Sequence, residues 1–191
     1  MNIPLMLAER GVDVSRLEGP VNLAATGLAL PRSPGVYLIT CGDCLAHIGT
    51  SDQVLRRVRQ LARLQRHYRG AEVLCASFCT GEPPLVWWEP FPDHRRARER
   101  EGELKRQCGE PPIPRDRFET CINGARLKAA LLRVAGESSW EAGYIEAVFT
   151  LSGNLHLLLS PRFAGLWDQV GLPPGPWSLR RPPDSLDERL E

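Results

Sequence analysis

No run in this 191-residue sequence approaches the ~18 consecutive apolar residues that a membrane-spanning helix requires. The start, from Met1 to Arg10, lacks the basic segment and long apolar core of a secretory leader, so a cytoplasmic location is the expectation. Net charge is almost absent. The 24 Lys and Arg against 23 Asp and Glu leave +1, which excludes an electrostatic case for nucleic acid made by the whole chain. Only local clustering of basic residues can make that case. Internal repeats, a Walker loop and a dinucleotide-binding glycine motif are missing, and no hydrolase elbow surrounds Ser138-Ser139.

What is present is an ordinary globular composition, 42% hydrophobic and 25% charged, of a length that suits one compact domain with extensions. Six cysteines are spread over the chain, and in a cytoplasmic setting they are expected reduced. Cys41 and Cys44 have knuckle-like spacing. With Cys75 and Cys79 they offer four soft ligands for structural zinc. The competing reading makes Cys75 and Cys79 small core hydrophobes.

Residues 1–30 read as a short helix and a Gly/Pro-punctuated approach. Pro31 to Gly35 is a turn signal, and 35–49 reads as a hairpin, with Cys41-Gly42-Asp43-Cys44 at its tip. Thr50-Ser51-Asp52 supplies the cap for a helix over about 52–69. Residues 71–80 read as a third strand, 85–88 as a further short strand, and 92–108 as a second charged helix. Beyond it, 123–135 reads as a helix, 144–150 with 155–159 as a hairpin, and 161–170 as a short helix. From Pro173 the chain is Pro-rich and charged, the composition of a mobile tail.

At 100° per residue, Val54, Leu55, Val58, Leu61, Ala62 and Tyr68 share one sector of the first helix. Arg56, Arg59, Arg63 and Arg66 share the opposite one. They form either a stripe that tracks a phosphate backbone or a solvated face. Arg57 stands apart at the border of the apolar sector, where an arginine needs a partner, a task, or room for its head to reach water. On the second helix, Ala97, Glu101, Leu104 and Cys108 share a face, and Glu101 is its only acid. A carboxylate there calls for a cation, whether a divalent metal, Arg57 or a surface salt-bridge partner.

Gly35-Val36-Tyr37 and His47-Ile48-Gly49, Arg57 ten residues after His47, and Glu101-Gly102-Glu103-Leu104-Lys105 with Pro111-Pro112 beyond it together resemble the GIY-YIG nuclease superfamily over about residues 33–113. His47 replaces the second tyrosine. Leu61 stands where the family often has His or Tyr, and Ile113-Pro114 where it often has asparagine. The resemblance implies an α+β fold, a small three-stranded antiparallel sheet flanked by helices. Residues 1–32 are then an N-terminal extension, 114–172 a C-terminal α/β extension and 173–191 the tail.

The same resemblance implies a metal-dependent DNA endonuclease using Mg2+ or Mn2+. Glu101 would hold the metal, Arg57 the scissile phosphate, and Tyr37 the attacking water. His47 is either an additional base, since imidazole titrates near ~6.5 where a phenol titrates near ~10, or a strand residue filling a half-buried slot. The alternative function is a catalytically silent module that binds nucleic acid or a protein partner.

Overall fold

The structure is a computed structural model, and it describes residues 3–25, 28–62, 69–109, 122–152 and 155–171. The expected tail and residues 63–68, with Arg63, Arg66 and Tyr68, lie outside the described residues. The elements run α1 (Ile3–Glu9), β1 (Glu18–Asn22), β2 (Gly35–Cys41), β3 (Cys44–Ser51), α2 (Val54–Ala62), α3 (Arg69–Thr80) and β4 (Pro84–Pro90). They continue with α4 (His94–Cys108), α5 (Ile122–Ala135), α6 (Trp140–Ala147) and α7 (Ala164–Val170). No helix among the described residues is long and apolar enough to cross a membrane.

The fold is α+β. Its sheet is antiparallel and has four strands in the order β1-β4-β2-β3, not the three expected. The added strand, Glu-Gly-Pro-Val-Asn, is short, lacks apolar alternation and carries a proline. It is tolerated because β1 is an edge, where a missing N–H can face away from the ladder. The expected short strand at 85–88 is longer than read and lies inside the sheet, between β1 and β2.

Every residue of β2 is buried, because both faces of the sheet are covered. Tyr37, Ile39 and Cys41 point into a large core shared with α2, α3, α5 and the C-terminal helices. Val36 and Leu38 point the other way, into a smaller cluster with Leu7, Ile48, Ala97 and Leu104. Helices α2 and α4 therefore pack on opposite faces. Val54, Leu55, Val58, Leu61 and Ala62 of α2 are buried as their spacing requires. The first N–H groups of α2 have no partners within the helix. Val54 and Leu55 donate instead to the carbonyls of Ser33 and Pro31, which fastens the turn before β2 to the helix.

Two expectations are corrected. Residues 71–80 are helical, not a strand: 72–77 are buried without a break, and a short apolar run of this kind has no period that separates strand from buried helix. Residues 144–150 and 155–159 are not a hairpin. Ser139 caps α6 by accepting from the Ala142 N–H, and Ala142, Ile145, Val148 and Phe149 then repeat at helical spacing into the core. The chain leaves α6 through a wide turn at Val148–Ser152 and forms 3-10 turns at Leu155–Leu159 and Pro161–Phe163. The short helix expected at 161–170 is present there as the last of these turns and α7, anchored by the Trp167 indole donating to the Leu158 carbonyl at 2.6 Å.

Candidate functional site

Register brings the two halves of the hairpin motif together. Tyr37 lies opposite Gly49 and Ile39 opposite His47, so Tyr37 and His47 are on one face of the sheet. Their side chains meet, with Tyr37 Oη 3.4 Å from His47 Nε2. Gly49 lies directly beneath that meeting point. A Cβ built on it would stand 2.5 Å from Tyr37 Oη and 2.7 Å from His47 Nε2, closer than real contacts allow. The glycine of His47-Ile48-Gly49 is thus required by space, so that a phenol and an imidazole can converge over bare backbone. Both side chains are deeply buried, Tyr37 at 1% exposure and His47 at 6%.

On the far side of the imidazole, His47 Nδ1 is 3.5 Å from Oε2 of Glu72, a carboxylate on α3 that is 1% exposed. Nothing in the sequence singles out Glu72 while 71–80 is read as a strand. As a helix, that segment turns Glu72 inward with Val73, Cys75 and Ala76.

Directly after Gly49, Thr50, Ser51 and Asp52 form one wall of a shallow groove of about 180 Å³, completed by Arg56, Arg57, Gln60 and His94. Arg57 is half-buried and donates through Nη1 to Gln60 Oε1 at 3.4 Å. Arg56 is held by Asp52 at 3.2 Å. The groove brings together α2, the end of β3 and the first residue of α4. Its polar lining and two guanidinium groups suit an oxyanion of phosphate size.

Glu101 is not among the groove's lining residues, and its helix α4 packs on the face of the sheet opposite α2, Tyr37 and His47, so the structure does not bring it together with them. It lies seven residues beyond His94 on the same face of α4, about 10 Å along the axis at 1.5 Å per residue. Its neighbours Ala97 and Leu104 are buried, as the shared face requires. Its side chain is 19% exposed and its carboxylate meets Lys105 Nζ at 3.0 Å. As a hard, partly accessible oxygen donor it fits Mg2+, which takes one or two carboxylates and completes its shell with water. Lys105 competes for one of the two oxygens.

Arg56 and Arg59 are exposed on the outer face of α2, as expected; Arg63 and Arg66 lie outside the described residues. The zinc expectation is corrected. Among the described residues no three His, Cys, Asp or Glu side chains gather to hold a metal ion, so Cys41, Cys44, Cys75 and Cys79 do not form a ligand set. Because α3 is a helix, Cys75 is carried into the core. Cys41 directs its thiol at the Val73 carbonyl, 3.8 Å away. Burial pushes the Cys41 thiol up to about 12, and burial, then Asp43 and Cys79, raises that of Cys44.

A second charged cluster escapes the sequence reading. Glu89 of β4, 2% exposed, accepts from Arg100 Nε at 3.0 Å and meets Arg16 Nη2 at 2.6 Å. Arg100 also donates to Glu103 at 3.1 Å. On a helix wheel Arg100 is one more arginine in a charged helix; only its acidic strand neighbour draws it inward. Comparison with protein-family models, with curated proteins and with solved structures finds no match for this chain.

Proposed function

We propose that this chain is a GIY-YIG-like, metal-dependent DNA endonuclease that hydrolyses phosphodiester bonds. The observation that carries the proposal is the continuity of the motif. Tyr37 and His47 meet over Gly49, and the next residues of the same strand wall the groove that Arg57 lines. Arg57 receives the scissile phosphate and offsets the charge that grows on it. Tyr37 orients the attacking water and takes its proton, with His47 as the base behind it. Exposed Arg56 and Arg59, with Arg63 and Arg66 further along the sequence, hold the flanking backbone. Glu101 would hold Mg2+ or Mn2+, and the metal would supply the charge that polarises the phosphate and stabilises the leaving oxygen.

Supercoiled plasmid incubated with the protein and Mg2+ tests this. Nicking is expected, together with a loss of about 10²-fold in the Arg57→Ala variant and dependence on both the metal and Glu101. Equal behaviour of the wild type, Arg57→Ala and Glu101→Ala ends the proposal.

One observation favours a second function. Tyr37 and His47 are sealed from solvent and Lys105 engages Glu101, as suits a silent module that binds nucleic acid or a protein partner. DNA binding without nicking at any Mg2+ or Mn2+ concentration would select it.

A further inference from the structure

We infer that Glu72 is a positioning residue that fixes the His47 ring so that its Nε2 receives the Tyr37 proton, a role that rests on the hydrolase reading above. Three side chains from three elements follow one another: Tyr37 Oη on β2, the imidazole of His47 on β3, and the Glu72 carboxylate on α3. Tyr37 Oη is 3.4 Å from Nε2, and Glu72 Oε2 is 3.5 Å from Nδ1, close enough for a charge contact but not a formed hydrogen bond. A neutral imidazole carries one proton, and the group facing each nitrogen decides which one bears it. A carboxylate has only acceptor sites, so Glu72 opposite Nδ1 places the proton there. Nε2 is left with its lone pair toward the Tyr37 hydroxyl, 3.4 Å away. Links of this length belong to a resting site that tightens when substrate enters.

In the proposed reaction, water gives a proton to Tyr37 Oη as its oxygen attacks phosphorus. The Tyr37 proton passes to His47 Nε2. The imidazolium so formed faces the Glu72 carboxylate; the bond from phosphorus to the leaving oxygen breaks, and the proton returns from Nε2 through Tyr37 Oη to that oxygen.

The test uses the full chain labelled with 15N and needs no variant for its first arm. The His47 ring signals, assigned by their loss in His47→Asn, are expected to show protonated Nδ1 and unprotonated Nε2 at pH 7.5. Protonation at Nε2 instead overturns the inference. In Glu72→Gln, which keeps shape and an acceptor but removes charge, His47 is expected to titrate at lower pH. The kcat for plasmid nicking is expected to fall about 10²-fold with KM unchanged, and the acidic limb of its pH profile to move. An unaltered titration and pH profile in a folded Glu72→Gln overturns it as well. If the wild type does not cut, the hydrolase reading fails, while the ring signals still decide whether Glu72 sets the tautomer.

Discussion

Replacing Gly49 by alanine adds one methyl group at the most crowded point of the hairpin. The new carbon would lie 2.5 Å from Tyr37 Oη, 2.7 Å from Tyr37 Cζ and 2.7 Å from His47 Nε2. Tyr37 is 1% exposed and packed in the main core, so its ring has no free direction in which to withdraw. Overpacking of this kind costs about 1–3 kcal/mol, and loss of the phenol–imidazole contact adds about 0.5–1.5 kcal/mol. A total near 2–4 kcal/mol lowers the melting temperature of a chain this long by about 5–15 °C. Gly102→Ala is the control. Its Cβ meets only the tip of Arg106, 3.5 Å away, inside α4, so it should stabilise by about 0.5–1 kcal/mol. Adding Tyr37→Phe to Gly49→Ala removes the nearest atom and leaves Cζ in place, so it should restore only part of the loss. Urea denaturation of the four proteins measures all of this. A Gly49→Ala change below about 0.5 kcal/mol would refute the claim that space, and not chain flexibility, selects glycine there.

Glu89→Ala leaves Arg100 buried with only the more exposed Glu103 as partner, and should cost about 3–5 kcal/mol by denaturation; a cost below 1 kcal/mol would refute it. Cys41, fully buried with its thiol pushed up to about 12, should resist alkylation at pH 8 in the native protein and react at once in denaturant, as mass mapping would show. Asp13 is held below its usual 3.8 by the Ser15 hydroxyl, then by the Ser15 N–H. Its folded form is favoured above pH 3.8, and that favour is lost as pH falls through the lower folded value. A carboxyl midpoint at or above 3.8 in an NMR titration would contradict this.

The parts of the fold that were legible in the sequence carry a clear period or a clear stop. The β2–β3 hairpin, the buried stripe of α2 and the Ala97–Leu104 face of α4 are examples, and the last ends where Gly109 takes φ +71. The misread parts lack such signals. Residues 72–77 are apolar or drawn inward on every side, so strand and helix patterns coincide. At 144–150, β-branched and aromatic residues suggest a strand, yet packing against α5 through Leu127 and Leu131 decides for helix. The site divides in the same way. Tyr37, His47 and Arg57 were singled out by the family resemblance, and Arg57 also by its place on the helix wheel of α2. Glu72 was not, because its role exists only once α3 is a helix. Arg100 was not, because its partner lies on a strand 11 residues earlier.

Strand β1 has a consequence for dissecting this protein. It closes the open side of β4, and Glu18 accepts from the Trp88 indole at 2.9 Å. A fragment begun at residue 33 would expose a seven-residue strand bearing two tryptophans, with its backbone donors and acceptors unmatched. Such fragments would recruit one another edge to edge. A separate peptide spanning Glu18–Asn22 would be expected to slot back and cap that edge, as in donor-strand complementation. The segment before the motif is thus a built-in guard against self-association, and the smallest well-behaved piece of this protein starts ahead of Glu18.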